Sequence, residues 1–206
     1  MPSEARVLTI GHSNHGWERF AELLRGAGVT AVADVRTSPW SRHTPQFNRE
    51  TLAANLKANG VAYVFLGAEL GGRPEGAHLF DDGVANYEAM AREESFRTGL
   101  DRVATGARTH VVALMCAERE PLDCHRCLLV SRRLRDLGLA VAHIHGDGAI
   151  EPHEATEQRL LVCEGLEHED IFEGRESRLN RAYAQRARKV AYAEAAAETV
   201  SSVALG

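Results

Sequence analysis

Short apolar runs alternate with amphipathic stretches along most of this chain. Arg6 to Ile10 reads as a buried strand, Gly11-His12-Ser13-Asn14 as a turn, and Trp17 to Gly26 as a helix carrying Phe20, Leu23 and Leu24 on one face. Ala31 to Val35 is a second strand, followed by a loop from Arg36 to Asn48 that contains Pro39 and Pro45, then a helix from about Arg49 to Asn59 ended by Gly60. Ala62 to Leu66 makes a third strand. A Gly-rich loop then runs from Gly67 to Gly83, and helices follow around Tyr87 to Ala91 and Phe96 to Thr105. His110 to Met115 is a fourth strand, Cys124 to Leu137 a helix ended by Gly138, and Ala140 to Ile144 a fifth strand.

This alternation predicts an α/β fold, a mainly parallel sheet of about five strands with helices on both faces in a Rossmann-like three-layer arrangement. Ligands of such sheets bind beyond the carboxyl ends of the strands. Loops starting at Gly11, Arg36, Gly67, Cys116 and His145 therefore converge on one rim. A further helix is expected from Glu151 to about Leu166, and the charged, Ala-rich stretch from Glu169 to Ala197 is helical in pattern with no strand signal. The spacing of Leu179, Tyr183 and Val190 lets that helix lie back on the domain or pair with another subunit in an oligomer. The expected division is an α/β domain over 1–166 and a helical extension over 167–206.

Composition narrows the function classes. The formal net charge of -5 disfavours a general duplex-binding surface, because phosphate neutralisation relies on clustered basic residues. No apolar stretch approaches the roughly 20 residues of a membrane span, and the first residues lack the apolar core of a signal peptide. The expectation is a cytoplasmic protein with reduced cysteines. Lys57 and Lys189 are the only lysines among 24 basic residues. The remaining guanidinium groups suit bidentate recognition of a small anion, although Arg-rich and Ala-rich usage also follows from genomic base composition.

The candidate chemistry centres on one strand-to-helix turn. Val111 to Met115 runs into Cys116, and eight residues later Cys124-His125-Arg126-Cys127 opens the next helix. A helix N-terminus lowers a cysteine pKa and binds anions. Three chemistries compete there. A metal site would draw on Cys116, Cys124, Cys127 and a histidine such as His125, but neighbours at 3.6 residues per turn project about 100° apart on a helix. A dithiol redox site would use Cys124 and Cys127. A nucleophilic thiol, or an anion cradle built on Arg126, needs the fewest coincidences. A strand-end cysteine after Asp34-Val35-Arg36 also loosely resembles the layout of rhodanese-type sulfurtransferases, without their compact Cys-x5-Arg loop.

Other loops supply partners. His12, Ser13 and Asn14 offer an imidazole, a hydroxyl and an amide, although Ser13 or Asn14 would also serve as helix caps. Asp34 and Arg36 form either an ion pair or a carboxylate and guanidinium for the rim. Glu69 is a candidate general base and Arg73 an anion clamp in a loop where Gly71 and Gly72 allow close backbone approach. No nucleotide-cofactor fingerprint is present, since neither the Walker nor the dinucleotide spacing occurs.

Taken in order, Thr9-Ile10-Gly11-His12-Ser13-Asn14, Asp34-Val35-Arg36, Pro45-Gln46-Phe47-Asn48, Leu66-Gly67 with Glu69-Leu70-Gly71-Gly72-Arg73, and Cys116-Ala117-Glu118 with Cys124-His125-Arg126 resemble domain-of-unknown-function family 488. The likeness continues through Val141-Ala142-His143-Ile144 and the helix after His153-Glu154. It implies a compact bacterial or archaeal α/β domain and points to His12, Ser13, Asn14, Asp34, Arg36, Gln46, Asn48, Gly71, Gly72, Arg73, Cys116, Glu118, Cys124, His125 and Arg126. Cys127 falls where the family pattern commonly has a small residue such as serine, which weakens the redox pair.

The resulting expectation is an enzyme that binds a small anionic or nucleotide-like molecule at the rim. Cys116, Cys124 and His125 are its reactive centre, and His12 or Glu118 moves protons. Ser13, Asn14, Asp34, Arg36, Gln46, Asn48, Glu69, Gly71, Gly72, Arg73 and Arg126 line the ligand site. The alternatives are rhodanese-like sulfur chemistry and a non-catalytic module that binds a metal or a nucleic-acid strand.

Overall fold

The computed structural model describes residues 6–168 and 173–194. Apolar runs become strands and amphipathic stretches become helices in the order β1 (Arg6–Gly11), α1 (Trp17–Gly26), β2 (Ala31–Asp34), α2 (Arg49–Ala58), β3 (Ala62–Phe65), α3 (Gly67–Leu70), β4 (Phe80–Asp81), β5 (Val84–Ala85), α4 (Tyr87–Met90), α5 (Glu94–Gly106), β6 (Val112–Cys116), α6 (Arg132–Asp136), β7 (Ala140–Ile144), β8 (Ile150–Pro152), α7 (His153–Cys163) and α8 (Arg175–Val190). The main sheet runs β3-β2-β6-β1-β7-β8. Its first five strands are parallel, and β8 pairs antiparallel with β7 at the edge.

Strand alternation sorts the core into two layers. Leu8, Ile10, Val32, Ala113, Met115 and Ile144 face Phe20 and Leu24 of α1 and Leu52 and Leu56 of α2. Val7, Ala33, Val112, Leu114 and Val141 face the helices of the opposite side, among them Leu100 of α5, Leu134 of α6, Leu160 of α7 and Tyr183 of α8. Each fully buried Leu or Phe contributes about 1.5–3 kcal/mol. No helix among the described residues is long and apolar enough to cross a membrane.

The layering also places a crevice. β1 and β2 feed α1 and α2 on one face, while β6, which lies between them, feeds α6 on the other. Neighbouring strands whose chains leave to opposite faces open a cleft at their carboxyl ends. Gly11 and Cys116 are register partners at that end.

Several elements depart from the sequence reading. β8 falls where a helix was expected to start, because three residues are too few to show alternation and Pro152 at an edge strand also serves as the residue before α7. The stretch read as one loop from Gly67 to Gly83 contains α3 and β4. The helix expected from Cys124 starts at Arg126 as a π-helical turn through Ser131, whose hydroxyl donates to the Arg126 carbonyl at 2.7 Å. The helix expected over 169–197 spans Arg175–Val190, while 169–172 and 195–197 lie outside the described residues. Residues 191–194 are extended instead, with Ala85 N donating to Tyr192 O at 2.8 Å and Glu194 N to Gly83 O at 2.9 Å.

Candidate functional site

Beyond Cys116 the chain is folded tightly against β1. The β1–β6 ladder continues past the strands, His12 N donating to Cys116 O at 2.8 Å and Ser13 N to Ala117 O at 2.9 Å. A Cβ on Gly11 would stand 1.8 Å from the Glu118 carbonyl oxygen, so the crossing of the two loops requires glycine there. A short 3-10 turn at Pro121–Asp123 then returns the chain to Cys124. Cys124 is extended, with φ -140 and ψ 138, and His125 is the first residue with helical angles. The expected divergence of about 100° between these neighbours therefore does not arise, because only one of them is in the helix.

Both side chains turn toward Cys116. Cys116 Sγ lies 2.9 Å and Cys124 Sγ 3.0 Å from Glu118 Oε2, and the two sulfurs are 3.8 and 3.9 Å from His125 Nδ1. The far nitrogen of His125, Nε2, sits 2.9 Å from the Val35 carbonyl oxygen, which fixes Nε2 as the donor. Gly72 lets the neighbouring loop close over this ring, since a Cβ there would meet His125 Cγ at 2.7 Å.

The electrostatics of the four groups are unequal. Burial pushes the Cys116 thiol well up, and its hydrogen bond with Cys124 adds to this. Burial would raise Cys124 as well, but the Cys116 thiol, Arg126 and His125 together pull it well below the ordinary thiol range. Burial followed by the Cys124 charge lifts Glu118 above the usual carboxylate range. Burial opposes charge on His125, and the facing Cys124 sulfur outweighs it and raises the ring. Burial and mutual interaction thus drive the two thiols in opposite directions, Cys116 up and Cys124 down, within one hydrogen-bonded cluster.

Arg126 is fully buried and anchors the turn, donating through Nη1 to Glu118 O at 2.7 Å and through Nη2 to Arg119 O at 3.0 Å. Arg36 is equally committed. Its Nε and Nη2 hold the Asp34 carboxylate at 2.9 and 2.7 Å, Nη2 also reaches Phe47 O at 2.8 Å, and Nη1 donates to His12 Nε2 at 3.2 Å. That last bond makes Nδ1 the protonated nitrogen of His12, donating to Ser13 O at 2.8 Å. Burial and the nearby Arg36 push His12 down to about 4.

A cavity of about 200 Å³ opens over the cluster, lined by Cys116, Glu118, Cys124 and His125 below and by Thr37, Gly72, Arg73, Tyr87 and Tyr192 around it. Arg73 stacks over Tyr192 with its guanidinium carbon 5.2 Å from the ring centre. Among the described residues it has no carboxylate partner.

The sequence candidates divide accordingly. Cys116, Glu118, Cys124, His125, Arg36, Gly72 and Arg73 meet at the cavity, with Arg126 directly behind. His12, Asp34 and Arg36 form a second network under the rim, joined by Tyr63, whose hydroxyl donates to Asp34 at 2.9 Å. The rest hold loops in place. Ser13 and Asn14 bond to each other at 3.3 Å, Gln46 donates to His15 O at 2.9 Å, Asn48 accepts from Ser41 N at 2.7 Å, Glu69 pairs with Arg102, and Gly71 backs onto Thr37.

Tyr87 and Tyr192 went unread as cavity residues, and their only sequence signal is an aromatic at a helix start and one in a polar tail. A second cluster was also missed. Thr9, His143, His153 and Tyr183 form a buried chain, with Thr9 Oγ1 2.8 Å from His143 Nδ1, His143 Nε2 2.9 Å from His153 Nδ1, and His153 Nε2 2.9 Å from the Tyr183 hydroxyl. Tyr183 donates onward to Glu157 at 3.3 Å. Because a carboxylate only accepts, this last bond makes every upstream hydroxyl and ring donate in one direction.

No curated protein and no solved structure matches the chain. A family model does: residues 16–132, over half of the chain and the span that includes Asp34, Arg73, Cys116 and the Cys124 turn, match the family described as Domain of unknown function DUF488, and the chain belongs to that family.

Proposed function

We propose that this chain is an enzyme that draws a small anionic molecule into the cavity beside Arg73 and acts on it at the Cys116, Glu118, Cys124 and His125 cluster. The observation that carries this reading is the meeting, on one cavity of about 200 Å³, of the two-cysteine cluster with an Arg73 guanidinium that has no carboxylate partner among the described residues. That volume suits an oxyanion headgroup such as a phosphate or a carboxylate, free or borne by a nucleotide. Arg73 is the gripping cation, while Arg36 lines the cavity with its guanidinium held by Asp34 and Arg126 shapes the site from behind through its bonds to backbone carbonyls. The chemistry needs both facing thiols reduced, which fits the cytoplasm.

The test is a thermal-shift screen of phosphate, small carboxylates and nucleotides, followed by titration of the best binder. A charge-assisted contact is worth about 1.5–3 kcal/mol, so Arg73→Ala is expected to weaken that binder at least roughly tenfold. Unchanged affinity in Arg73→Ala would overturn the reading.

A further inference from the structure

The four groups at the cavity floor have the chemistry and spacing of a metal centre, and resting on the reading that this cluster is the reactive one, we infer that Cys116, Cys124 and His125 bind a single divalent zinc ion with Glu118 as its exchangeable fourth ligand. Their ligand atoms all lie within 4.8 Å of one another. A tetrahedral zinc with sulfur ligands at about 2.3 Å and nitrogen at about 2.0 Å sets ligand atoms about 3.5 to 3.8 Å apart. The sulfur to Nδ1 distances of 3.8 and 3.9 Å lie within about 0.4 Å of the roughly 3.5 Å sulfur-to-nitrogen edge, so a small inward shift of the ring completes it. The sulfur to Glu118 distances of 2.9 and 3.0 Å are hydrogen-bond lengths, so the carboxylate is the group that shifts outward as the ion enters.

Three further features agree. The Val35 carbonyl accepts from His125 Nε2, leaving the Nδ1 lone pair aimed at the sulfurs, and a metal-bound histidine is oriented by such a partner on its other nitrogen. Two thiolates and a carboxylate carry three negative charges, which a divalent ion and the buried Arg126 guanidinium balance. Glu118 is the one exposed member of the set. Two cysteines and a histidine with one replaceable position form a catalytic rather than a closed structural zinc site. An oxyanion held by Arg73 would take the place of the Glu118 carboxylate on the ion, which ties the metal to the substrate class proposed above.

The experiment is elemental analysis of the full chain purified reduced and without chelator, with cobalt(II) titration of the apoprotein as the spectroscopic readout. About one equivalent of zinc per chain is expected, and cobalt should give a thiolate-to-metal charge-transfer band that weakens in both Cys116→Ser and Cys124→Ser. Glu118→Ala should keep the band and bind zinc roughly tenfold more weakly. Circular dichroism on each variant separates lost ligation from lost folding. Zinc below roughly a tenth of an equivalent, with no cobalt band in the folded wild-type apoprotein, overturns the inference. So does a band indifferent to Cys124→Ser, which would move the ion to Cys127, His143 and His153. Anion affinity that depends on Arg73 in a protein that takes no metal leaves the cavity reading standing and the zinc site refuted; a bound zinc with anion affinity indifferent to Arg73 does the reverse.

Discussion

Arg126 donates to the carbonyl oxygen of Glu118 across the turn that connects them, at 2.7 Å and with no exposure to solvent. One buried guanidinium therefore fixes the backbone beneath an exposed carboxyl and sets a positive charge beside Cys124. Arg126→Met is expected to lose about 3 kcal/mol of stability, because two backbone carbonyls lose a charged donor. It should also raise the pH at which Cys124 reacts with iodoacetamide in chelator-treated protein, since Arg126 helps hold that thiol low. Urea titration and a pH series of alkylation rates measure the two effects, and a variant with unaltered stability would refute the anchoring role.

Asp34 and Arg36 make the corresponding pair under the rim, with Asp34 at 0% and Arg36 at 6% exposure. Removing one partner of a buried pair costs about 3–5 kcal/mol, so Asp34→Asn should lower stability by that amount. Tyr63→Phe removes a single hydrogen bond to the same carboxylate and should cost about 1.5 kcal/mol. Equal losses in the two variants would show that the ion pair adds nothing beyond the hydroxyl.

The parallel strands were legible because each is an apolar run ended by turn residues, and the rim followed from their order. The turn from Cys116 to Cys127 was legible in its residue types but not in its geometry. Cys124 reads as helical by position, whereas the extended backbone it adopts depends on the Pro121–Asp123 turn and on the loop crossing at Gly11. Arginines 36, 73 and 126 look alike in sequence. Only packing shows that two of them are occupied. The histidine chain was illegible for another reason: Thr9 and Tyr183 lie at opposite ends of the chain, and a hydroxyl and an imidazole carry no signal of pairing until β1, β7, α7 and α8 come together.

Acid should expose that chain. Burial, with Arg135 nearby, pushes His153 down to about 4, and burial, with Arg36 nearby, does the same to His12. Both rings titrate near their ordinary 6.5 when unfolded, so between pH 6.5 and 4 the unfolded chain holds more protons. The stability they contribute is complete above about pH 6.5 and is lost as pH falls toward 4, by about 3 kcal/mol per ring. Denaturation at pH 7.5, 6 and 5 should show that decline, to which His143, also held well below its ordinary range by burial, adds, and His153→Gln should make it shallower. Glu151, held down to about 2 by Arg159 and His145 against the pull of burial, loses its contribution between about pH 4.5 and 2 and leaves the measured range from pH 7.5 to 5 clear. A profile level from pH 7.5 to 5 would contradict the assignment of neutral buried rings.

Gly72→Ala tests how closely the Arg73 loop must approach the cluster. Its new methyl would stand 2.7 Å from the His125 ring, so either the ring or the loop has to move. A fold cost of about 1–3 kcal/mol is expected, together with weaker cobalt and anion binding than in Gly28→Ala, a glycine remote from the cavity. Retention of both affinities would show that the loop closes independently of the ring.

Tyr192 follows α8, some sixty residues beyond the stretch that matches the family, yet it forms the wall against which Arg73 lies. The floor and one side of the cavity thus come from distant parts of the chain. The cysteine cluster lies within the family-matched span, whereas this aromatic lies outside it. Removing the Tyr192 ring is therefore expected to open the cavity beside Arg73 while leaving the cysteine cluster beneath in place.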